Sequence, residues 1–474
     1  MKNFKRLSLL LFIVIFISGI NAESFGSFED DKSNLKWSGD IKLNNRNYLD
    51  IENEIETTLE INLNLKYERD NSELYADFEY LTDDDSFNLN EAYVRLFYDN
   101  FDFLAGKKKV IWGKGDKLHV IDNINPEDYS DFINEDYLDR KISEKMLKID
   151  YYIGNGNFEI IFIPEFNYSK LPEEGFWVQK ETRYIQNLEN ELESYGLYLL
   201  DMGVITNTEL NSMREYFKDE TSYPDYDKIE ESTFGLRYTN SIKGFDFGFS
   251  YYNGRMKLPS YSKLSLYNIG YSLSGLTPDP SVSELNGYVE NIDPHYDKVE
   301  VFGFEFSKIL LGINTRGEIG YFKTEDSSGD NPDIRNHKVS WVIGGDRDFP
   351  VSNINLNLQL KSEKILKEDE IKKNSLPLQG YNYDINYNKD GNYFKNLLVA
   401  KLSDSYNHEK IEPEIIYYVI IESEDYVLEN NIEFLLKDNL SMKMIYKIFE
   451  GEEDTQFGQF DDNDYAALNF EYSF

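Results

Sequence analysis

Apolar or aromatic residues alternate with polar ones along much of the chain, at a period of two. In the C-terminal row from Leu468 to Phe474, every second residue is apolar or aromatic and the residues between them are polar. Such alternation is typical of a strand that has an apolar medium on one face and water on the other. Similar rows predict strands at 36–49, 53–67, 71–82, 86–99, 101–112, 145–154, 157–168, 230–240, 245–254, 297–307, 311–323, 337–347, 353–362, 393–403, 410–422, 425–436, 440–449 and 465–474.

The connections between these strands alternate between short and long. Every second connection is a tight turn, and Asn155-Gly156 is the clearest, because Asn-Gly favours a type I′ hairpin. The other connections include the long ones, at 113–144, 169–229, 255–296, 363–392 and 450–464. Membrane barrels place short turns at one end and longer loops at the other. The pattern predicts an all-β fold, a transmembrane antiparallel β-barrel of about 18 strands, with a range of 16 to 18.

The N-terminus has the features of a secretory signal peptide. Lys2, Lys5 and Arg6 precede the apolar run Leu7 to Ile17, and small residues follow up to Ala22. The run is too short for a stable membrane anchor, and cleavage after Ala22 is expected. The predicted organisation is a signal peptide at 1–22, a short segment at 23–35 and the barrel at 36–474.

The composition is consistent with strands that cross a membrane. Aromatic residues make up 15% of the chain although the mean hydropathy is −0.57. A barrel reconciles the two values, because only alternate residues face lipid and aromatic residues concentrate at the membrane interfaces. The sequence contains no cysteine, so neither a disulfide framework nor lipid attachment to an N-terminal cysteine is expected.

The net charge of −38 argues against nucleic acid as a partner. The acidic residues gather at Asp83 to Asp85, Glu450 to Asp454 and Asp461 to Asp464. These clusters are either solvated loop tips or weak Ca²⁺ sites, and none shows a complete calcium-loop pattern. We therefore predict no metal site and no cofactor. The expected partners are outer-membrane lipid, the barrel assembly machinery, and small hydrophilic solutes or ions; the pattern leaves monomer and trimer open.

The final row ends on Phe474 and resembles the assembly signal of Gram-negative outer-membrane barrels. Together with the signal peptide, this resemblance implies a location in the cell outer membrane. The last strand is then expected to pair with the first, near Trp37, and so to close the barrel.

The connection at 169–229 has helical character. Ile185, Leu188, Leu192 and Tyr195 recur at helical spacing, and a second helical pattern spans 210–217. The two patterns predict a helical loop insertion that forms either a lid outside the barrel or a partial plug inside it.

Alternation also predicts which charged side chains line the lumen. Arg95, Arg237, Arg316 and Glu318 occupy the polar faces of their strands. Basic residues inside a pore influence ion preference. They also stiffen the wall if they pair with neighbouring carboxylates, and the two roles are compatible.

The most distinctive local sequence runs from Gly106 to Gly113 and contains three lysines and Trp112, with Asn125-Pro126-x-Asp128 downstream. Over residues 86–144 it resembles an uncharacterised family of porin-like outer-membrane proteins, with Lys107 where Arg is commoner. The resemblance implies that the segment after this strand folds into the lumen and narrows it.

The residues at 113–144 support an inward position independently of the resemblance. Apolar residues such as Val120 and Ile121 are mixed with many charges, and a flexible outer loop would not need them. We expect the segment to lie against the inner wall, although a capping loop at the rim is the alternative. Lys107 and Lys109 are assigned to the lumenal face of the preceding strand. The candidate constriction residues of the segment are Asp116, Asp122, Glu127 and Asp128.

An enzymatic activity is not expected. Only four histidines occur, His119, His295, His337 and His408, and the common nucleophile, zinc and phosphate-loop motifs do not stand out. The sequence favours a channel for passive diffusion of small hydrophilic solutes or ions, with a preference for cations. The alternative is a barrel-anchored adhesin or ligand-binding protein that displays loops 169–229 and 255–296.

Overall fold

The computed structural model describes residues 34–51, 54–82, 85–130, 137–208, 210–211, 231–273, 294–374, 382–388 and 391–474. The predicted signal peptide at 1–22 and residues 23–33 of the predicted N-terminal segment lie outside the described residues. So do Asp83, Asp84 and most of the second helical pattern at 210–217.

Within the described residues, eighteen strands form one closed antiparallel sheet. Each strand pairs with its neighbours in sequence, and the last pairs with the first. The strands are β1 Leu35–Tyr48, β2 Ile55–Arg69, β3 Ser72–Leu81, β4 Ser86–Tyr98, β5 Phe101–Lys108, β6 Glu144–Ile153, β7 Gly156–Ile163, β8 Thr233–Ile242, β9 Phe245–Arg255, β10 Lys298–Leu310, β11 Ile313–Thr324, β12 Lys338–Asp348, β13 Asn355–Ile365, β14 Phe394–Ser403, β15 Ile411–Ile420, β16 Tyr426–Lys437, β17 Leu440–Glu450 and β18 Tyr465–Ser473.

The structure confirms the predicted antiparallel barrel of 18 strands, with three local corrections. The seventh strand, predicted to run to 168, ends at Ile163. The fifth strand ends at Lys108 rather than at 112, because the chain there leaves the wall. The turn between β6 and β7 is formed by Gly154 and Asn155, and Gly156 already pairs with Ile153. Of the two turn residues only Gly154 has a positive φ, so the predicted type I′ turn, which needs two, is wrong.

Short turns and long loops lie at opposite ends of the barrel. The turns range from two residues, as at 243–244, to seven, at 404–410. At the other end, three long connections matter below: L3 (109–143), L4 (164–232) and L9 (451–464). The first and last described residues lie on the side of the barrel that carries the short turns, because β1 starts there and β18 finishes there.

The two faces of the wall differ in chemistry. One face carries exposed apolar rows, which include Phe234 and Leu236 on β8, Phe249 on β9, Phe302 on β10 and Ile319 on β11. The alternate positions on the same strands carry buried charges such as Glu305 and Glu318. L3 contacts this polar face on strands far apart around the ring, so the polar face is the lumenal one.

The described helices all lie in loops. They are α1 Tyr137–Arg140 in L3, α2 Lys180–Asp201 in L4, α3 Lys263–Leu273 between β9 and β10, α4 Glu368–Asn374 between β13 and β14, and a 3₁₀ helix Gly458–Asn463 in L9. Leu188 and Leu192 of α2 pack with Leu266 of α3, as an amphipathic helix at the predicted spacing would. None of the helices in the described ranges is long and apolar enough to cross a bilayer.

The C-terminal residue contributes to barrel closure. Phe474 exchanges two backbone hydrogen bonds with Gly39 of β1, at 3.0 and 2.9 Å. Its ring lies 5.7 Å from that of Trp37, centroid to centroid. A Cβ at Gly39 would lie 2.8 Å from the Phe474 ring, so the glycine leaves room for the ring over the seam.

Replacing Phe474 with alanine is expected to reduce the yield of closed barrel. The substitution removes the Trp37 contact, which as an aromatic pair contributes about 1 kcal/mol, at the seam between β1 and β18 that closes the ring. The fraction of protein that migrates as a compact, heat-modifiable band on a denaturing gel measures closure. Leu311→Ala, at an exposed turn, is the control and is expected to close normally; an equal yield for both variants would contradict this role.

Candidate functional site in the barrel lumen

L3 leaves the wall after β5 and crosses the lumen. Asp116 accepts a 2.6 Å hydrogen bond from the side-chain amide of Asn357 on β13, which lies eight strands from β5 in a ring of eighteen. Asp139 of α1, further along L3, lies 3.7 Å from the ammonium group of Lys42 on β1. L3 therefore touches nearly opposite walls before it returns to β6.

The carboxylate of Glu318 on β11 is the main anchor of L3. Its Oε1 accepts hydrogen bonds from the backbone N–H groups of Lys114 (2.9 Å) and Gly115 (2.6 Å). Its Oε2 accepts from those of Val120 (2.7 Å) and Ile121 (3.1 Å). The side chain is fully buried. One wall carboxylate thus satisfies four backbone donors that an irregular buried segment would otherwise leave unpaired.

Glycine at position 113 makes this close approach possible. Its φ is 110°, a region that side-chain-bearing residues rarely adopt. A Cβ at Gly113 would lie 2.2 Å from the Oε1 atom of Glu318. The fold therefore explains the Trp-Gly pair of the sequence motif. Trp112 fills a buried position, and Gly113 lacks the side chain that would collide with the carboxylate of Glu318.

The apolar residues of L3 pack against the lumenal wall. Trp112 is fully buried and sits over Gly235 of β8, where a Cβ would meet its ring. Its indole N–H donates to Glu159 on β7, which also pairs with Lys148 at 2.7 Å. Ile121 packs against Gly303 of β10 in the same way. These apolar residues of L3 therefore pack against the inner wall, as predicted, and do not belong to a capping loop at the rim.

Asn125 holds the two ends of L3 together. Its side-chain amide donates to the carbonyls of Lys108 and Ile142, at 3.1 and 2.8 Å, and its carbonyl oxygen accepts from the backbone N–H of Val110 at 2.8 Å. The residue is buried. The sequence motif contained Asn125, but its role as a clamp between two distant stretches of chain required the fold.

A buried ion pair stiffens the middle of L3. Asp122 lies 2.9 Å from the ammonium group of Lys141, and both side chains are fully buried. The hydroxyl of Tyr137 donates to Asp122 at 2.6 Å. Burial raises the pKa of the Tyr137 phenol, and the neighbouring Asp122 charge raises it further. The phenol thus remains protonated, as its donation to Asp122 requires.

The remaining candidates in L3 connect it to its surroundings. Glu127 lies 3.7 Å from Nε of Arg140 within L3. Asp128 lies 3.2 Å from the ammonium group of Lys170 in L4. L3 and L4 also share backbone hydrogen bonds, from Lys170 N–H to the Glu127 carbonyl at 3.0 Å and from Tyr129 N–H to the Lys170 carbonyl at 2.9 Å.

The three arginines predicted to line the lumen each face a carboxylate on another strand. Arg95 pairs with Asp102, and Arg316 pairs with Asp346. Arg237 pairs with Glu305 at 2.6 Å and also lies 3.4 Å from the carbonyl of Ile111 in L3. The geometry is that of a stiffened wall, which was one of the two roles the sequence left open.

The structure corrects the assignment of Lys107 and Lys109 to one lumenal strand face. Lys107 pairs in register with Ala92 and Lys145, whose positions alternate with the lumenal ones, so it lies on the outward face. Lys108 is lumenal instead, and its ammonium group lies 4.2 Å from the centre of the Tyr93 ring. Lys109 follows the end of β5, where alternation no longer applies, and it donates to the carbonyl of Leu138 at 3.2 Å.

The part of the wall near β1 carries an excess of acid. Asp40, Glu60, Asp77, Glu79 and Glu471 occupy lumenal positions on β1, β2, β3 and β18. Asp77 lies within electrostatic reach of Glu91, Glu79 and Asp40, and of the cation Lys109. Lys42, 3.6 Å from Glu60, is a second cation in this region. The sequence alone does not reveal this cluster, because the register that aligns four strands is not visible in any one of them.

The histidines occupy separate places. The Nδ1 atom of His119 lies 3.2 Å from Oε1 of Glu318, and its ring stacks on Tyr137 at 4.5 Å. His295 and His337 lie in the loop end, and His408 lies in the turn between β14 and β15. Burial opposes protonation of His295, but the adjacent Asp297 carboxylate outweighs it and raises the pKa of His295.

L4 covers the mouth of the barrel and is anchored on the far side. From the end of β7 it reaches L9, where Trp177 is buried against Phe449, Phe460 and Tyr465. The indole N–H of Trp177 donates to the hydroxyl of Tyr48 at 2.9 Å. β7 and β17 lie eight strands apart around the ring, so the first half of L4 spans the mouth. These contacts at the loop end of the barrel are those expected of a lid, and residues 212–230 of the insertion lie outside the described residues.

Three comparisons place the chain among known proteins. No curated protein matches the sequence significantly. Solved structures similar in fold include OccK10 (OpdN) of Pseudomonas aeruginosa, with 8% identity, a TM-score of 0.49, and coverage of 93% of this chain and 99% of that one. OccK11 (OpdR) of the same organism has 8% identity, a TM-score of 0.47 and coverage of 93% and 95%. A mutant porin of Rhodopseudomonas blastica has 10% identity, a TM-score of 0.38 and coverage of 93% and 100%.

One family model matches residues 28–359, from before β1 into β13. The matched range includes L3, its Trp-Gly pair and the Glu318 anchor. It is well over half of the sequence, and the chain therefore belongs to DUF1302, a family of proteins of unknown function.

Proposed function

We propose that the protein is an outer-membrane channel for passive diffusion of small hydrophilic solutes or ions, and that it prefers cations. The observation that carries the proposal is L3, which crosses a polar lumen and is held to opposite walls. A ring of eighteen strands is wide enough to leave an aqueous path, and a fixed inward segment narrows that path.

The outer membrane is the location that best suits this molecule. The outward face is apolar on strand after strand, and the closed ring leaves no sheet edge that would need water as a partner. The signal-peptide pattern at 1–22 and the terminal Phe474 support export and assembly there. Short turns would then face the periplasm and the long loops the exterior.

The preference for cations is argued from the lumenal charges. The lumenal arginines are each paired with a carboxylate, so they contribute little net positive charge to the path. The wall near β1 instead holds five carboxylates, with Lys42 close to Glu60, Asp40 and Glu471 and with Lys109 near Asp77. Carboxylate-rich walls attract cations and repel anions. The constriction formed by L3 and this wall would select small solutes by size and charge.

The alternative, a barrel that displays binding loops, is less well supported by the position of L4. Trp177 ties L4 down across the mouth, and Lys170 ties its start to L3. A loop bound to the rim and to the constriction is placed to govern entry into the lumen. Conductance measurements distinguish the two functions, since a display scaffold has no need of an open path.

Glu318→Gln is expected to loosen L3. The amide keeps the size of the carboxylate but loses its charge, and a hydrogen bond to a charged acceptor is worth about 1.5–3 kcal/mol. We expect amide hydrogen exchange at residues 114–121 to rise at least about tenfold, and single-channel currents to become larger and noisier. Glu305→Gln, equally buried but paired with Arg237 in the wall, is the control. Unchanged exchange at 114–121 in the Glu318 variant would refute the anchor.

Neutralising the acidic wall is expected to reduce cation preference. For the triple variant Asp40→Asn, Asp77→Asn and Glu79→Gln, the cation-to-anion permeability ratio should fall roughly twofold or more. The ratio is obtained from the reversal potential across a planar bilayer with a KCl gradient. Glu424→Gln, Glu452→Gln and Glu453→Gln neutralise three exposed loop carboxylates as the control. Anion preference in the unmodified protein, or bilayers without pores, would reject the proposal itself.

Trp177→Ala is expected to release the lid. Truncating a buried tryptophan costs about 3–5 kcal/mol, which is more than the remaining contacts of the L4 anchor are expected to replace. We expect higher mean conductance and more frequent transitions between current levels. Tyr184→Ala removes an exposed aromatic residue of the same loop and serves as the control. If both variants conduct like the unmodified protein, L4 does not restrict the mouth.

A further inference from the structure

Two lysines oppose each other on the outward face of the barrel, at the loop ends of β5 and β6. Lys107 and Lys145 are direct partners in the strand register. Like charges in this arrangement destabilise a sheet. The ammonium group of Lys107 reaches only the backbone carbonyl of Leu89, at 2.7 Å, among the contacts described. That of Lys145 lies 2.9 Å from Glu165, in an exposed pair of the kind that is worth little.

An apolar groove adjoins the two lysines on the same surface. It has a volume of about 300 Å³ and is lined by Leu147, Phe162 and Pro164 together with Gly106 and Met146. Lys107 and Lys145 form one side of it. Leu147 is well exposed, although it is apolar. The groove thus combines a cationic side with an apolar floor.

The groove lies where the apolar outer surface ends. Outward positions on β5 read Phe101, Phe103, Ala105 and then Lys107, from the turn end to the loop end. Those on β6 read Tyr151, Ile149, Leu147 and then Lys145 over the same course. In each strand the change from apolar to cationic marks the boundary between acyl chains and headgroups.

Neighbouring charges strengthen the positive field at this boundary. Lys109 lies within electrostatic reach of Lys107, as does Glu144, which pairs with Lys257 at 3.2 Å. Lys170 and Asp128 pair at 3.2 Å and largely offset each other. An anion that bridges Lys107 and Lys145 would remove their mutual repulsion.

We propose that this groove binds a membrane lipid with a phosphate-bearing headgroup. The phosphate lies between Lys107 and Lys145, and an acyl chain follows the groove along Leu147 and Phe162. Lysine is a suitable partner for phosphate, and a basic site beside an apolar surface matches both ends of such a lipid. The proposal rests on the membrane location argued above but not on the channel function.

The protein itself supplies a matched control. Lys364 lies on the outward face at the loop end of β13, and its register partners are Val339 and Phe394. It is exposed and has no lysine opposite. A general attraction of anionic lipid to outward lysines would involve Lys364 as much as Lys107.

Native mass spectrometry of the full-length protein, purified in detergent, tests the proposal. Phosphatidylglycerol is added to the unmodified protein, to the double variant Lys107→Gln/Lys145→Gln, and to Lys364→Gln. We expect one saturable lipid in the unmodified protein. We expect the affinity to be about thirtyfold weaker in the double variant, because each of the two lost basic residues contributes about 1 kcal/mol near an anionic headgroup. Lys364→Gln should bind as the unmodified protein does. The compact band on an unboiled denaturing gel shows that each variant is folded.

Two further probes identify the source of the anion. Diacylglycerol with the same acyl chains lacks phosphate and should bind more weakly than phosphatidylglycerol. Inorganic phosphate lacks acyl chains and should not displace the lipid. Equal binding of phosphatidylglycerol by the double variant, equal binding of diacylglycerol, or displacement by inorganic phosphate would each overturn the proposal. Conductance enters none of these measurements, so a failed channel proposal would leave the outcome unaffected.

Discussion

The closed ladder of backbone hydrogen bonds is the constraint on which the whole structure depends. In a hydrocarbon environment no water is available to pair an exposed N–H or carbonyl group, so a sheet can cross only if it has no edge. The register between β1 and β18 from Asp40 to Tyr48, with Phe474 and Gly39 beyond it, removes that edge. Closure also divides the side chains into an apolar outside and a polar inside. The lumen, its charged wall and the space that L3 occupies all follow from this division.

L3 satisfies the same constraint within the lumen by a different means. Its irregular backbone cannot join the ladder, so wall and segment side chains take the place of strand neighbours. Glu318 accepts from four N–H groups, and Asn125 bonds to the chain at both ends of L3. The fully buried pair of Asp122 and Lys141 then fixes the interior of the segment. Removing one member of such a pair is costly, which favours a single conformation over a mobile loop.

Sequence patterns predicted the barrel well because the relevant physics is local. Alternation at a period of two and the parity of connection lengths depend on neighbouring residues, and both carried over to all eighteen strands. The errors arose where local rules end. Alternation along β5 places Lys107 in the outward row of Phe101 and Phe103, so its predicted lumenal position is wrong. Lys109 lies beyond the end of β5, and the turn at Gly154 is shifted by one residue from the predicted one. The residues that L3 contacts could not be predicted from local patterns, since Gly115 and Glu318 are 203 positions apart. The acidic wall could not be predicted either, because it depends on the register of four strands.

The separation between L3 and its anchor constrains the order of folding. β11 and β13 follow L3 in the chain, so the segment has no fixed position until most of the wall exists. The contacts of L3 with Glu318 and Asn357 can form only once β11 and β13 are in place. Contacts this distant in sequence slow folding, since a long loop must close before they form. L3 is therefore fixed in the lumen late, when the wall strands that hold it are present.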